Sequence, residues 1–195
     1  LYRCEFLVGA GGTNCCIYRT FFKPVHPRRK DHKIITLEDE FPYDYSDDHC
    51  RLWFFDHKLP GYAWYVPKAG GHVNVGIGGM AAQVGRSKRK LREYWDLFTR
   101  RLEKRDLVRH ANYRPKGYSY YLRGPIEQAR IGNAFLAGDA AGLATRDMCE
   151  GIGPAVRSGL LAARAIVTDT EYSLAGIAEF SGKGLASRLL AHKIA

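Results

Sequence analysis

Hydrophobic positions along the chain change period several times, and each change predicts an element. Residues 5–8 form a short apolar run that ends in a glycine-rich stretch, the pattern of a strand entering a tight turn. Between residues 33 and 79, four runs (34–37, 50–55, 62–66 and 72–77) are rich in branched and aromatic side chains. Breakers at 59–61 and 67–71 divide them, which predicts an antiparallel meander. A 3.6-residue period then takes over from about 88 to 107, where Leu91, Tyr94, Trp95, Phe98 and Leu102 make an apolar stripe. Residues 113–122 are strand-like again and are expected to return to the same sheet. Residues 135–137 predict one more short strand, broken at Gly138-Asp139 and followed by a loop and a helix with Pro154 in its first turn. Ile152, Val156, Leu160, Ala163 and Val167 recur at helical spacing and predict its buried face, with Arg157 and Arg164 on another. The tail from 172 to 195 reads as helical, weakened by Gly176, Gly182 and Gly184.

The candidate chemistry lies where these elements break. Gly9-Ala10-Gly11-Gly12 exposes backbone directly after a strand. Gly151 and Gly153 let a ligand approach a helix start, where unpaired N–H groups and the macrodipole favour an electron-rich group. Asp139, at a strand end among small residues, is able to accept hydrogen bonds from ligand hydroxyls; the plainer alternative is a capping carboxylate. In the hairpin 61–68, strand alternation puts Tyr62 and Trp64 on one face and Tyr65 on the other, so the first two either wall a cavity or pack under a helix. No pair of residues forms an acid–base or nucleophilic constellation, so no catalytic residue is named.

Composition narrows these options. The chain has 195 residues, 46% of them hydrophobic, enough for one sizeable core or two small ones. It contains no apolar run long enough to span a bilayer and no signal-peptide pattern at its start. Five cysteines without a Cys-x-x-Cys pair argue against a disulfide framework or a zinc site, and a reducing cytoplasm is the expectation. The net charge of +10 is concentrated at 28–30, 86–92 and 100–105, largely on the amphipathic helix. A solvated outer face explains it, with docking to an anionic membrane surface as the alternative; no nucleic-acid motif accompanies it.

Three stretches together resemble the flavoprotein group that holds aromatic hydroxylases, flavin-dependent halogenases and geranylgeranyl reductases. Gly138-Asp139-Ala140 and Glu150-Gly151-Ile152-Gly153 are similar to that group's second FAD motif, with Cys149 where the family has Gly. Gly9, Ala10, Gly12 and Arg19 match its middle motif, with Gly11 and Cys15 replacing an Asp and a Ser. Tyr62, Trp64, Pro67 and Lys68 match a geranylgeranyl reductase hairpin in which the aromatic residues line the substrate cavity. The resemblance implies an α+β chain, an antiparallel substrate-domain sheet with helices plus the last strand and helix of a Rossmann-type FAD-binding domain. Residues 1–24 and 131–195 would form the FAD-binding part and 25–130 the substrate domain. It implies an FAD-dependent oxidoreductase that reduces double bonds of a prenyl or other apolar small molecule, with NAD(P)H as a candidate reductant. A monooxygenase or halogenase is the first alternative, and a non-catalytic interaction module the second. The family's opening Gly-x-Gly-x-x-Gly turn has no counterpart here, so the chain is expected to be the carboxy-terminal half of a longer protein. As given, it should either pair with that missing half or self-associate.

Overall fold

The computed structural model describes residues 3–126 and 128–194. In chain order the strands are β1 (Leu7–Gly9), β2 (Lys33–Pro42), β3 (Arg51–Phe54), β4 (Gly61–Lys68), β5 (His72–Met80), β6 (Lys116–Tyr121), β7 (Arg130–Ile131) and β8 (Ala134–Leu136). The helices are α1 (Ala81–Arg86), α2 (Leu91–Lys104), α3 (Ile152–Thr168) and α4 (Leu185–Ile194). The chain divides into two compact units, one made of the residues up to 33 with those from 120 onward, the other of residues 34–119. Residues 25–33 and 120–130, which the sequence reading put with the sheet, therefore group with the first unit.

The sheet unit is a β3-β4-β5-β2-β6 array in which β3, β4 and β5 form the antiparallel meander and β2 pairs antiparallel with the far side of β5. Alternation divides the faces as the pattern predicts. Ala63, Tyr65, Val73, Val75 and Ile77 pack against Tyr94, Trp95, Phe98 and Leu102 of α2. Trp95, Phe98 and Leu102 are almost fully buried, and each such side chain contributes roughly 1.5–3 kcal/mol. The Lys90 N–H donates to the Glu93 carboxylate at 2.7 Å and starts the helix, leaving its basic residues outside.

In the other unit β1 runs parallel to β8, with Leu7 opposite Ala134 and Gly9 opposite Leu136, while β7 flanks β8 antiparallel. Its core gathers Phe22, Phe135, Leu136 and Leu143 with Ala162 and Ala165 of α3. The phase of α3 differs from the sequence expectation. Ile152, Val156, Leu160 and Val167 are 78%, 59%, 66% and 83% exposed, and the buried face is Pro154, Ser158, Ala162 and Ala165. The cause is close approach: Gly138 adopts a left-handed φ of 57°, and a Cβ there would lie 3.1 Å from the Ala155 Cβ. Only small residues fit an interface that tight. The tail also departs from expectation, since only α4 is helical. Before it, Tyr172, Leu174 and Ile177 are buried anchors of irregular backbone, and the Tyr172 hydroxyl donates to the Leu136 carbonyl at 2.5 Å. No helix among the described residues is long and apolar enough to cross a membrane.

Candidate functional site

Because β1 and β8 are parallel neighbours, the two glycine turns named from sequence leave the sheet side by side at its carboxyl edge. One continues from Gly9 through Ala10 into a 3-10 turn at Gly12–Asn14; the other is the 3-10 turn Gly138–Ala140. Carboxyl ends of parallel strands are where α/β sheets hold ligands. The Gly138 N–H donates to the buried Ser158 Oγ at 2.9 Å, which fixes the second turn to α3. Asp139 then stands at the start of that helix, since a Cβ on Gly151 would lie 3.2 Å from Asp139 Oδ1. Asp139, Gly151 and the two turns are thus brought together.

The helix start itself is less open than the sequence suggests. Glu150 Oε1 accepts the Gly153 N–H at 2.8 Å, and Pro154 has no N–H, so Ile152 supplies the backbone donor that remains in the first turn. The loop leading to it is rigid. Thr145 N–H donates to the Glu150 carbonyl, Glu150 N–H to Thr145 Oγ1 and Cys149 N–H to the Thr145 carbonyl. Cys149 takes the left-handed conformation, φ 55°, which explains why a glycine suits this position. Burial, aided by the charge of Asp147, pushes its thiol up to about 12, so it is no nucleophile at neutral pH. Asp147, which the sequence reading passed over, is almost fully buried. Desolvation opposes its charge, but bonds from the Ser181 and Met148 N–H groups more than compensate and hold its pKa below the ordinary value. The tail completes this brace: Arg146 N–H donates to the Glu179 carbonyl at 2.8 Å, and the Thr145 and Ser181 hydroxyls bond at 2.9 Å.

Arg19, the basic residue of the middle motif, is exposed in a π-helical turn, Tyr18–Phe22. Arg28 instead reaches both glycine turns, donating to the Thr13 carbonyl at 2.6 Å and the Ala140 carbonyl at 2.7 Å. No periodicity or motif spacing marks Arg28 in the sequence. Of the adjacent cysteines, Cys15 is buried and Cys16 exposed, and neither is in a disulfide.

On the sheet unit, Tyr62 and Trp64 share the face of β4 opposite α2, and Phe54 extends the row. Ring centroids are 5.2 Å apart for Phe54–Tyr62 and 5.9 Å for Tyr62–Trp64. Their partners on β5 are Gly78 and Gly76, so the row lies over bare backbone. Trp64 Nε1 donates to Asn74 Oδ1 at 2.6 Å, Asn74 donates to Glu40, and Lys68 is ion-paired to Glu40. Pro67 continues the strand opposite Val73. Lys68 therefore supports the aromatic row through Glu40 and Asn74.

The chain is 28% identical over 169 residues to digeranylgeranylglycerophospholipid reductase of Methanosarcina mazei, covering 84% of this chain and 39% of that protein. Among solved structures, the geranylgeranyl bacteriochlorophyll reductase-like protein of Thermoplasma acidophilum matches with a TM-score of 0.68 at 21% identity, over 86% of this chain and 43% of that one. The chain has the fold of the geranylgeranyl reductase-like flavoprotein superfamily. CmlS, a flavin-dependent halogenase, shares that fold more distantly, with a TM-score of 0.59 at 19% identity over 85% of this chain and 31% of CmlS. No protein-family model matches the chain. The geranylgeranyl reductase-like fold seen here spans about two fifths of the length of the curated relative.

Proposed function

We propose that this chain is the flavin- and substrate-facing part of an FAD-dependent oxidoreductase that reduces double bonds of a prenyl or similarly apolar substrate. The observation that carries the reading is the convergence of Asp139, the start of α3 and two glycine turns at the carboxyl edge of a parallel strand pair. The donor set fits the ribityl and ring end of the cofactor: a carboxylate to accept from hydroxyls, and the Ile152 N–H beside a helix start for the electron-rich pyrimidine. No donors are assigned to the pyrophosphate end of the cofactor in this reading. When bound, the flavin supplies hydride transfer. The chain's own residues bind and orient. Asp139 holds the hydroxyl chain, the rigid loop 145–150 sets the angle of the helix start, and Phe54, Tyr62 and Trp64 offer an apolar bed for an unsaturated tail. The curated relative's name, a reductase of a digeranylgeranyl lipid, agrees with such a tail.

A second reading, a binding module that keeps the fold without turnover, is favoured by the Glu150–Gly153 bond, which takes up one helix-start donor without a ligand.

Riboflavin separates the two, because it carries the ring and ribityl chain and lacks the pyrophosphate. The chain should bind riboflavin and FAD with similar affinity in a fluorescence-quenching titration. Asp139→Ala should weaken both by roughly tenfold or more, the loss of about 1.5–3 kcal/mol for a bond to a charged group. Equal binding by wild type and Asp139→Ala, with matching circular dichroism, would remove Asp139 from the site; no binding by either would favour the module.

A further inference from the structure

We infer that Arg28 is a positioning residue that locks the Gly12–Asn14 and Gly138–Ala140 turns into one fixed surface, although it belongs to neither. The inference rests on the reading above that these turns face the flavin. Arg28 is itself well anchored: its N–H donates to the Tyr18 hydroxyl at 3.0 Å, and that hydroxyl donates onward to the His26 carbonyl at 3.3 Å. Its guanidinium lies over the Tyr18 ring, 3.7 Å from the centroid, with the Tyr121 ring at 5.1 Å. From that position Nη1 and Nη2 point at the two carbonyls, Thr13 at 2.6 Å and Ala140 at 2.7 Å. Nε makes no hydrogen bond among the described residues, so the directed donors are spent on the turns alone.

The consequence follows from peptide planarity. Holding the Ala140 carbonyl fixes the N–H of the same peptide unit, Ala141 N–H, which closes the turn by donating to the Gly138 carbonyl at 2.9 Å. That turn carries Asp139. The Thr13 carbonyl lies inside the turn after β1, which the Cys15 N–H closes by donating to the Gly12 carbonyl at 3.1 Å, so holding that carbonyl restrains the turn directly. One planar cation thus bridges two turns that adjoin each other, each running on from one strand of the β1–β8 pair. Arginine suits this task and lysine does not, because a rigid fork aims two donors while an ammonium is a point charge on a flexible stem. The clamp also walls a cavity of about 250 Å³, with Tyr18, Tyr121, Leu136 and Ala141 among its neighbours. The exposed Arg19 makes no comparable link to either turn.

The test compares Arg28→Met and Arg28→Lys with the wild-type chain, using amide hydrogen exchange read by NMR together with riboflavin titration. In Arg28→Met, exchange should quicken roughly tenfold at both turns, the equivalent of a lost charge-assisted bond. Amides of α2 should not change. Riboflavin affinity should fall by a similar factor, and Arg28→Lys should recover part of both effects. If Arg28→Met does not fold, Arg28→Lys is read alone and should loosen both turns to a lesser degree. A response confined to one turn, no response at either, or wild-type riboflavin affinity in a folded Arg28→Met protein would overturn the assignment. If wild type takes up no riboflavin, the flavin reading fails and exchange alone decides whether Arg28 couples the turns.

Discussion

Gly76 is the position at which the aromatic row can be tested most sharply. A Cβ there would lie 2.1 Å from Trp64 Cζ2, 2.3 Å from Cε2 and 2.7 Å from Cη2. The indole cannot yield by a few tenths of an ångström; in Gly76→Ala it has to leave its place. Overpacking costs about 1–3 kcal/mol and the lost 2.6 Å bond to Asn74 about 0.5–1.5 kcal/mol, a total of about 2–4 kcal/mol. At about 4–8 °C per kcal/mol for a unit of this size, the melting midpoint should fall by roughly 10 °C or more. Trp64→Ala alone should cost about 2 kcal/mol, since the ring is only half-buried. The double variant decides the cause. With the indole gone, Gly76→Ala should cost almost nothing, a coupling of about 2–4 kcal/mol between the two sites. Thermal melts followed by near-ultraviolet circular dichroism would measure all four proteins. An equal cost of Gly76→Ala in both backgrounds would show that Trp64 does not lie over Gly76, and the apolar bed would lose its structural basis.

Asp147 should make stability pH-dependent in acid. Its pKa is lowered in the folded state, so its contribution is complete above the unfolded value of about 4 and is lost as pH falls through the lower folded value. Asp147→Asn should flatten that part of a melting-midpoint profile and cost about 1.5–3 kcal/mol at neutral pH. Cys149→Gly should relieve about 1–2 kcal/mol of left-handed strain and offset the lost side-chain packing, whereas Cys149→Val should destabilise clearly; urea melts would rank the three. The exposed apolar residues of α3 should drive self-association. Val156→Lys with Leu160→Glu should raise the monomer fraction in analytical ultracentrifugation without lowering the melting midpoint, and an unchanged association state would locate the contact elsewhere.

The meander was legible where its strands alternate on a half-buried surface, as β4 does from residue 61 to 66 and β5 does at its start. Tyr62, Trp64 and Tyr65 fall on the faces that alternation assigns, and the α2 stripe from Tyr94 to Leu102 is buried as its period predicts. The phase of α3 was not legible, because hydropathy ranks Ile152, Val156, Leu160 and Val167 above Ser158, Ala162 and Ala165. The interface selects for size instead, since the helix must come within contact of Gly138. Asp139, Gly151 and the glycine turns could be named from motifs, whereas Arg28 and Asp147 could not. Their importance arises from carbonyls and N–H groups distant in sequence, Ala140 for the one and Ser181 for the other. The tail was misread for a related reason: its buried Tyr172, Leu174 and Ile177 anchor irregular backbone, which has no period to detect.

The brace between the tail and the 145–150 loop bears on how the chain can be trimmed. Residues 179–181 look dispensable by their position in an irregular tail, yet they supply the Glu179 carbonyl and the Ser181 N–H and hydroxyl that shape the approach to α3. A shortened protein ending after Tyr172 would keep every motif residue and still lose the mould in which Glu150 and Gly151 are cast. By this brace, the segment that shapes the start of α3 extends past the last recognisable motif, to residues that act by holding the 145–150 loop.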